Sequence, residues 1–336
     1  MSEQTHIAWC DSTVNFWEGC TKVSPGCSNC YAEARDKRFT GGIYWRLGRR
    51  RKSKSAVNQA LNMNRKPWIC DDCGNAQPFD GRCEKCFDEF EGKIVHTHVR
   101  RIFSLSLGDW LDDEVPIQWL AEMLDTIRRC DQVSWILCSK RWGKFKGRLN
   151  VVCRFCEDNH DFPNEEELWA WCLNWCAPLG PQDIPPNIIG LCSVEDQQRA
   201  DERIPQFLKV PLACRGLSLE PLLGSVDLDP HWLGAGGRSG DNYQQPQIHW
   251  LIAGGESGPS ARPCNVDWIR SLVKQGQAAG VATFVKQLGA KPQTVEDTGC
   301  GLVHPWPMNL RDKKGGDPSE WPEDLRVQEW PKDFEL

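Results

Sequence analysis

Short apolar segments recur along the chain, and most of them end in polar residues. Seven are typical of β-strands: HIAWCDS (6–12), RRIFSLSLGD (100–109), VSWILCSKR (133–141), NIIGLCSVED (187–196), CRGLSLEPLL (214–223), IHWLIAGGES (248–257) and ATFVKQLG (282–289). Amphipathic helical patterns lie between several of them, at 116–129, 196–208 and 266–278. Strand followed by helix, repeated along the chain, predicts an α/β fold of parallel strands covered by helices.

The polar residues at the ends of these segments indicate where a site would form. In a (β/α) barrel, functional residues gather at the carboxyl ends of the strands. The strand-end residues here are Asp109, Lys140, Arg141, Ser193, Glu195, Ser218, Glu220, Glu256, Ser257, Lys286 and Gln287. No G-x-G-x-x-G follows an early strand, which disfavours an open doubly wound sheet. We therefore predict a (β/α) barrel, partial or complete.

Two cysteine-rich segments interrupt the alternation of strands and helices, and the C-terminal tail shows little hydrophobic periodicity. We predict both segments as small zinc-binding insertions in barrel loops and the tail as a surface wrap. The predicted boundaries are a first barrel part with a cysteine loop at 1–67, a zinc-ribbon-like insertion at 68–90, barrel at 91–149, a second insertion at 150–180, barrel at 181–290 and a C-terminal extension at 291–336.

The N-terminal sequence and the spacing of the cysteines indicate the cellular compartment. The N-terminus shows no basic region followed by an apolar stretch, and no apolar run approaches a membrane span, so we expect a cytoplasmic protein without a membrane partner. In a reducing compartment, 18 cysteines are not a disulfide framework. Several fall in C-x2-C pairs, a spacing that suits metal binding.

The segment CDDCGNAQPFDGRCEKC carries the most specific metal signal. Its two C-x2-C pairs are Cys70 with Cys73 and Cys83 with Cys86. Four thiolates at this spacing predict a closed, structural Zn²⁺ site that stabilises a loop too small to bury a core.

A second set comprises Cys153, Cys156, Cys172 and Cys176. The last two lie one helical turn apart and could complete another zinc site. The alternative is that they are core cysteines on a tryptophan-rich helix face.

The cysteine set nearest the N-terminus is the first set along the chain, and it differs from the other two. Its members, Cys20, Cys27 and Cys30, have no nearby fourth cysteine or histidine. Three thiolates leave a coordination position open, as a catalytic metal or a [4Fe–4S] cluster requires. The alternative is a third zinc site completed by Cys10 or by a distant ligand.

The net charge of −6 disfavours a protein that binds nucleic acid through its whole surface. One local basic segment exists, with Arg46, Arg49, Arg50, Arg51, Lys52 and Lys54 followed by Arg65 and Lys66. It is either a solvated surface segment or a strip that contacts phosphate groups.

Several motifs resemble a family of uncharacterised bacteriophage and prophage proteins, the gp-thirty-seven/gp-sixty-eight family. They are WCDSTVNFWEGCTKVSPGCSNCYAE, GLCSVEDQQRADERIP, LSLEPLLG, IAGGESGPSARP and FVKQLG, and the resemblance covers 5–50, 98–148 and 185–325. The chain is also similar to radical SAM enzymes, which carry three cysteines after the first strand of a barrel. Its C-x6-C-x2-C spacing departs from the usual C-x3-C-x2-C of those enzymes.

The radical SAM similarity implies a [4Fe–4S] cluster on Cys20, Cys27 and Cys30, with S-adenosylmethionine on its open iron. An electron-donor protein would supply the electron that yields a 5′-deoxyadenosyl radical. The cofactor-binding residues would be Tyr31, Ser193, Glu195, Ser218, Gly254 and Gly255. The catalytic residues would be Glu220, Glu256 and Lys286, and Lys140, Arg141 and Lys286 would meet anionic groups of a nucleotide or nucleic acid substrate.

Two other functions remain open at this point. A barrel hydrolase would use strand-end carboxylates of Asp109, Glu195, Glu220 and Glu256 as acid and base. A non-enzymatic zinc-ribbon protein would bind nucleic acid or a protein partner, with a steep dependence on salt.

Overall fold

The computed structural model describes residues 5–46, 48–81, 83, 85–86, 97–234, 247–297 and 303–331. Its largest element is a sheet in which neighbouring strands are parallel. The strands are β1 (Ser12–Val14), β2 (Arg101–Ser104), β3 (Ser134–Ser139), β4 (Ile188–Ser193), β5 (Cys214–Leu219), β6 (Trp250–Gly254) and β7 (Ala282–Gln287). They lie in chain order, and the sheet curls into a half-barrel that stays open between β1 and β7. The partial barrel is therefore confirmed, and the strand order is not that of a doubly wound sheet.

The α-helices of the described part are α1 (Tyr31–Thr40), α2 (Ala56–Asn64), α3 (Ile117–Arg129), α4 (Phe145–Asp158), α5 (Glu165–Cys176), α6 (Gln197–Phe207) and α7 (Val266–Ala279). Single 3-10 turns occur at Pro25–Cys27, Ile43–Trp45, Trp142–Lys144, Pro181–Asp183, Pro230–Leu233, Pro318–Glu320 and Glu323–Leu325. The three predicted helices are confirmed as α3, α6 and α7. Pro205 lies near the end of α6 without interrupting it, and Gly280 ends α7 in the left-handed conformation.

The sheet separates two apolar clusters, because successive side chains of a strand point to opposite faces. The outer face packs against the helices in the main core. The concave face carries Phe103, Ile136, Ile189, Leu191, Cys214, Trp250, Ile252 and Phe284. Trp9 and Trp330 fill the space in front of this face, with ring centroids 4.7 Å from Phe103 and 5.0 Å from Phe284 respectively. The inside of the half-barrel is therefore a packed core and not a channel.

The predicted zinc-ribbon-like insertion forms a small antiparallel sheet of its own. Its strands are Trp68–Cys70, Ala76–Gln77 and Thr97–Val99, so a strand beyond residue 90 belongs to it. His98 joins this sheet to the half-barrel, since its Nε2 lies 3.1 Å from a carboxylate oxygen of Asp11. There are two further small sheets. One pairs Trp17–Glu18 with Arg51–Lys52, and in the other Pro292–Asp297 lies between Cys264–Asn265 and Val303–Pro307.

The C-terminal segment covers the exposed edge of β7. The Val285 amide donates to the Val327 carbonyl at 2.8 Å, and the Glu329 amide donates to the Thr283 carbonyl at 3.0 Å. An unpaired strand edge invites association with other chains, so this pairing protects it. Within the described residues, no helix has the length and apolar character needed to cross a lipid bilayer.

Candidate metal centre at the carboxyl edge of the sheet

The polar residues that end the strands converge on one mouth of the half-barrel. Ile189 and Leu191 belong to the concave cluster, so Ser193 faces the same side two positions later. The same alternation applies to the neighbouring strands. The residues placed at this mouth are Lys140, Ser193, Ser218, Glu220, Gly254 and Lys286.

The loop that carries the first cysteine set lies across this mouth, and two strand-end glutamates hold it there. The Gly26 amide donates to Glu195 at 3.3 Å, and the Asn29 side chain donates to Glu256 at 3.0 Å. Arg262 binds Glu256 at 2.6 Å and donates to the Pro25 carbonyl at 3.0 Å. A methyl group at Gly26 would meet the Glu195 carboxylate at about 3.0 Å, which explains the glycine. These hydrogen bonds therefore hold the loop against the segments that follow β4 and β6.

Cys20 lies at the other end of the loop, beside a buried ion-pair network. An Arg141 guanidinium nitrogen donates to the Cys20 sulfur at 3.7 Å and to Asp109 at 2.6 Å. Asp112 in turn binds the Thr21 amide at 3.1 Å and Arg50 at 2.6 Å. These contacts fix the entry of the loop over β2 and β3.

The three thiols share the mouth but do not form a single-ion site. Cys27 ends a 3-10 turn and Cys30 is the N-cap of α1. Their sulfurs and that of Cys20 do not gather within 4.8 Å of one another. A cubane cluster separates its thiolates more widely than one metal ion does, because each thiolate binds a different iron. Cys10 precedes β1 and its thiol contacts the Ile7 carbonyl at 3.9 Å, so it is not part of this loop.

Burial opposes ionisation of two of the three thiols, those of Cys20 and Cys30. Burial and the carboxylates of Asp109 and Asp112 raise the pKa of Cys20 to about 12, against the opposing effect of Arg141. Burial also raises the pKa of Cys30. A coordinating metal removes the proton from such thiols, so this donor set fits a metal cluster.

The remaining mouth residues are paired with each other. Lys286 contacts both carboxylate oxygens of Glu220 at 2.8 Å, and Gln287 donates to Glu220 at 3.0 Å. The Lys140 ammonium donates to the Ser193 hydroxyl. These pairs form a polar rim at the mouth, next to the cysteine loop.

Three of the predicted site residues have contacts within the protein itself. Glu256 binds Arg262 and Asn29, so it anchors the loop and has no oxygen free of a partner for catalysis. Gly255 is required by the protein itself, because a Cβ there would meet the Leu288 carbonyl at 2.3 Å. Tyr31 is 55% exposed beside Cys30, and its hydroxyl donates to the Ser106 carbonyl.

The carboxylates proposed for a hydrolase are each paired with a cation. Asp109 binds Arg141, Glu195 binds Arg203 at 2.8 Å, and Glu220 and Glu256 have the partners given above. Burial opposes ionisation of Glu195, but Lys140, Ser24 and Arg203 outweigh it and lower its pKa. A general acid requires a raised pKa, so Glu195 does not suit that role.

The loop anchors predict a pH dependence. Hydrogen bonds from Arg262 and Asn29 outweigh burial and lower the pKa of Glu256 below 4.5, and that of Glu195 is lowered likewise. Their stabilising effect is complete above pH 4.5 and is lost as the pH falls through the lowered values. Hydrogen exchange at residues 20–30, corrected for intrinsic rates, should accelerate in that window. The double variant Glu195→Gln, Glu256→Gln should show fast exchange in this loop at every pH. If the variant kept the same acid transition, the two glutamates would not be the anchors of the loop.

The metal site predicted in the zinc-ribbon-like insertion is a tight group of four cysteines. The ligand atoms of Cys70, Cys73, Cys83 and Cys86 lie within 4.8 Å of one another, so they could hold a metal such as zinc. Burial opposes ionisation of Cys83, but hydrogen bonds from the backbone of Cys86 and Lys85 and from the thiols of Cys73 and Cys70 lower its pKa, while the neighbouring thiols raise that of Cys86. Backbone donors of this kind stabilise thiolate ligands.

The metal site predicted in the second insertion is not formed. Cys153, Cys156, Cys172 and Cys176 are buried between α4 and α5 in the main core, and their sulfurs do not gather within 4.8 Å. Cys153 contacts the Trp169 carbonyl at 3.9 Å and Cys176 contacts the Lys146 carbonyl at 3.8 Å. The alternative of core cysteines describes them, because all four side chains pack among the apolar residues of the main core.

Three residues that hold the site were not predicted from the sequence. Asn29, Arg203 and Arg262 position the cysteine loop or its glutamate anchors. The only available signal is that each lies within a few residues of a predicted ligand or at helical spacing from a strand end.

Comparison with curated proteins and with solved structures gives no match. A family model described as protein of unknown function DUF5131 matches residues 4–316. That span includes the cysteine loop, the four-cysteine group and every strand of the half-barrel. The chain therefore belongs to the DUF5131 family.

Proposed function

We propose that the protein is an iron–sulfur enzyme of the radical SAM type that acts on a nucleotide or nucleic acid. The observation that carries this proposal is the cysteine loop anchored across the mouth of a parallel half-barrel. Three thiols with no fourth cysteine or histidine near them in the sequence would leave one iron of a cluster open to a cofactor.

The residues of this chain have defined tasks in such an enzyme. Cys20, Cys27 and Cys30 would hold the cluster, and Glu195 and Glu256 hold the loop that presents it. When bound, the cluster and S-adenosylmethionine would supply hydrogen-atom abstraction driven by one electron from a donor protein. The apolar concave core below the mouth excludes water from the reacting groups.

The rim residues would orient the cofactor and substrate. Ser193 and Ser218 lie at the mouth beside Lys140 and the Lys286–Glu220 pair. Hydroxyl and carboxylate groups suit ribose hydroxyls and an amine, and lysines suit phosphate or carboxylate groups. The half-exposed Tyr31 lies beside the last ligand, where its ring can pack against the cofactor.

Product analysis tests the reaction directly. The anaerobically prepared protein should cleave S-adenosylmethionine to 5′-deoxyadenosine and methionine after reduction with dithionite. Lys286→Met removes the partner of Glu220, and we expect a loss of turnover of about tenfold or more with iron retained. The exposed Lys144, which pairs with Asp113 and is not one of the mouth residues, gives the matched control Lys144→Met with unchanged turnover. A protein that holds iron but forms no 5′-deoxyadenosine would refute the proposed chemistry.

The four-cysteine group would bind zinc in a structural role, independent of the reaction. Cys83→Ser should remove about one zinc per chain and leave the iron unchanged. Metal analysis of the variant checks this, and simultaneous loss of both metals would contradict separate sites.

A further inference from the structure

We infer that the exposed surface of α1 and the segment after it binds single-stranded nucleic acid beside the metal centre. This α1 surface is defined by Arg35, Arg38, Phe39, Tyr44, Arg46 and Arg49. The inference rests on the proposed function for the reaction that follows binding, whereas the binding itself is tested without it.

The charge of the α1 surface is opposite to that of the whole chain. Residues 31–55 contain nine lysines and arginines and two acidic residues, on a chain with a net charge of −6. Both acidic residues are buried and already bound: Glu33 pairs with Lys22 at 2.6 Å, and Asp36 accepts the Tyr44 amide at 3.0 Å. Glu18 pairs with Arg35 and Arg51, and Glu122 pairs with Lys52, but cations remain in excess on this surface. It therefore suits a polyanion.

Part of this positive charge is available to a ligand. Arg46, Arg49 and Lys54 are exposed and form no ion pair with any residue that the structure describes. Arg50 differs, because its side chain is 1% exposed and is bound to Asp112. The phosphate-contacting strip thus excludes Arg50 and consists of its exposed neighbours.

An exposed aromatic ring lies among these cations. Phe39 is 68% exposed, and the guanidinium carbons of Arg35 and Arg38 lie 5.7 Å and 5.3 Å from its ring centroid. Arg51 lies 5.9 Å from the ring centroid of Tyr44. Aromatic rings and guanidinium planes stack on unpaired bases, whose faces a duplex already covers. This combination favours a single strand over a double helix.

The position of Phe39 connects this surface with the metal centre. Tyr31 follows the ligand Cys30 and begins α1, and Phe39 lies eight residues later in the same helix. Eight residues of helix span about 12 Å. A stacked strand advances about 3.4 Å per nucleotide, so about three nucleotides separate a base on Phe39 from the one at the mouth. The substrate is therefore an oligonucleotide rather than a free nucleotide.

Fluorescence anisotropy with a labelled oligothymidylate of about 20 nucleotides tests the inference. Phe39→Ala should weaken binding about tenfold, because it removes the stacking ring. Arg46→Ala with Arg49→Ala should reduce the slope of log K against log salt by about 1.4, since each lost phosphate contact removes about 0.7. The matched controls are Trp306→Ala and the pair Arg154→Ala with Lys209→Ala, which are exposed outside the α1 surface and should change neither value.

Three results would overturn the inference. They are tighter binding of the same sequence as a duplex, binding that Phe39→Ala leaves unchanged, and equal competition by polyglutamate, which would indicate an acidic protein partner. Iron is measured on the same samples, so a protein that binds the oligonucleotide without iron contradicts the proposed function alone.

Discussion

Replacing Cys27 with alanine is expected to reduce bound iron from about four atoms per chain to below about one, because a cubane that loses one of three thiolates is released. Cys27 is only partly buried at the surface of its loop, so the substitution leaves the core intact. The zinc content should remain at about one atom per chain, since the four-cysteine group belongs to a separate sheet. Metal analysis of anaerobically prepared protein measures both values.

Cys138→Ala is the matched control for this variant. Cys138 lies one residue before the end of β3, beneath the same mouth, and is also only partly buried, but it lies outside the cysteine loop. The control should keep its iron. Retention of iron by Cys27→Ala together with its loss in Cys138→Ala would assign the cluster to other ligands.

Replacing Asp112 with alanine is expected to lower the free energy of unfolding by about 3–5 kcal/mol, because it leaves a buried guanidinium without its partner. The side chains of Arg50 and Asp112 are 1% and 2% exposed, and their closest approach is 2.6 Å. Asp112 also accepts the Thr21 amide, so the variant should loosen the loop beside Cys20. Urea unfolding measures the first effect and hydrogen exchange at residues 20–30 the second.

Glu18→Ala is the control for the buried pair. Glu18 binds Arg35 at 3.2 Å and Arg51 at 3.9 Å, and both arginines are exposed. Its removal should cost less than about 1 kcal/mol, because water already screens these charges. Equal costs for the two variants would mean that the Arg50–Asp112 pair is not buried in solution.

The parallel strands were predictable because each combines an apolar run with a polar end. This pattern located β2 to β7, and it also predicted that the strand-end residues meet at one edge. The first strand was misplaced, since the structure forms β1 at Ser12–Val14 and leaves 6–10 outside it. Trp9 and Cys10 are apolar because they fill the concave core, and not because they form a strand. Hydrophobicity reports burial and does not by itself report backbone pairing.

The cysteines illustrate the same limit. Two C-x2-C pairs close together identified the four-cysteine group, because such spacing fixes the local geometry of a metal site. The spacing of Cys153 and Cys156 is identical, yet α4 and α5 bury them among tryptophans such as Trp169 and Trp175. In a helix the C-x2-C spacing is also that of one buried face, so spacing alone does not separate ligands from core residues.

The anchors of the cysteine loop could not be predicted, because they join distant parts of the chain. Glu256 and Asn29 are 227 residues apart, and Gly26 and Glu195 are 169 apart. The sequence marked both glutamates as strand-end residues and assigned them to chemistry. In the folded chain, each carboxylate binds both the cysteine loop and an arginine.

The iron and sulfide content of the anaerobically prepared, unaltered protein tests the central claim most directly. Three loop thiols over a half-barrel mouth predict a brown protein with about four irons and four sulfides per chain, beside about one zinc. A colourless protein that contains zinc alone after reconstitution with iron and sulfide would contradict the assignment of Cys20, Cys27 and Cys30 to a cluster.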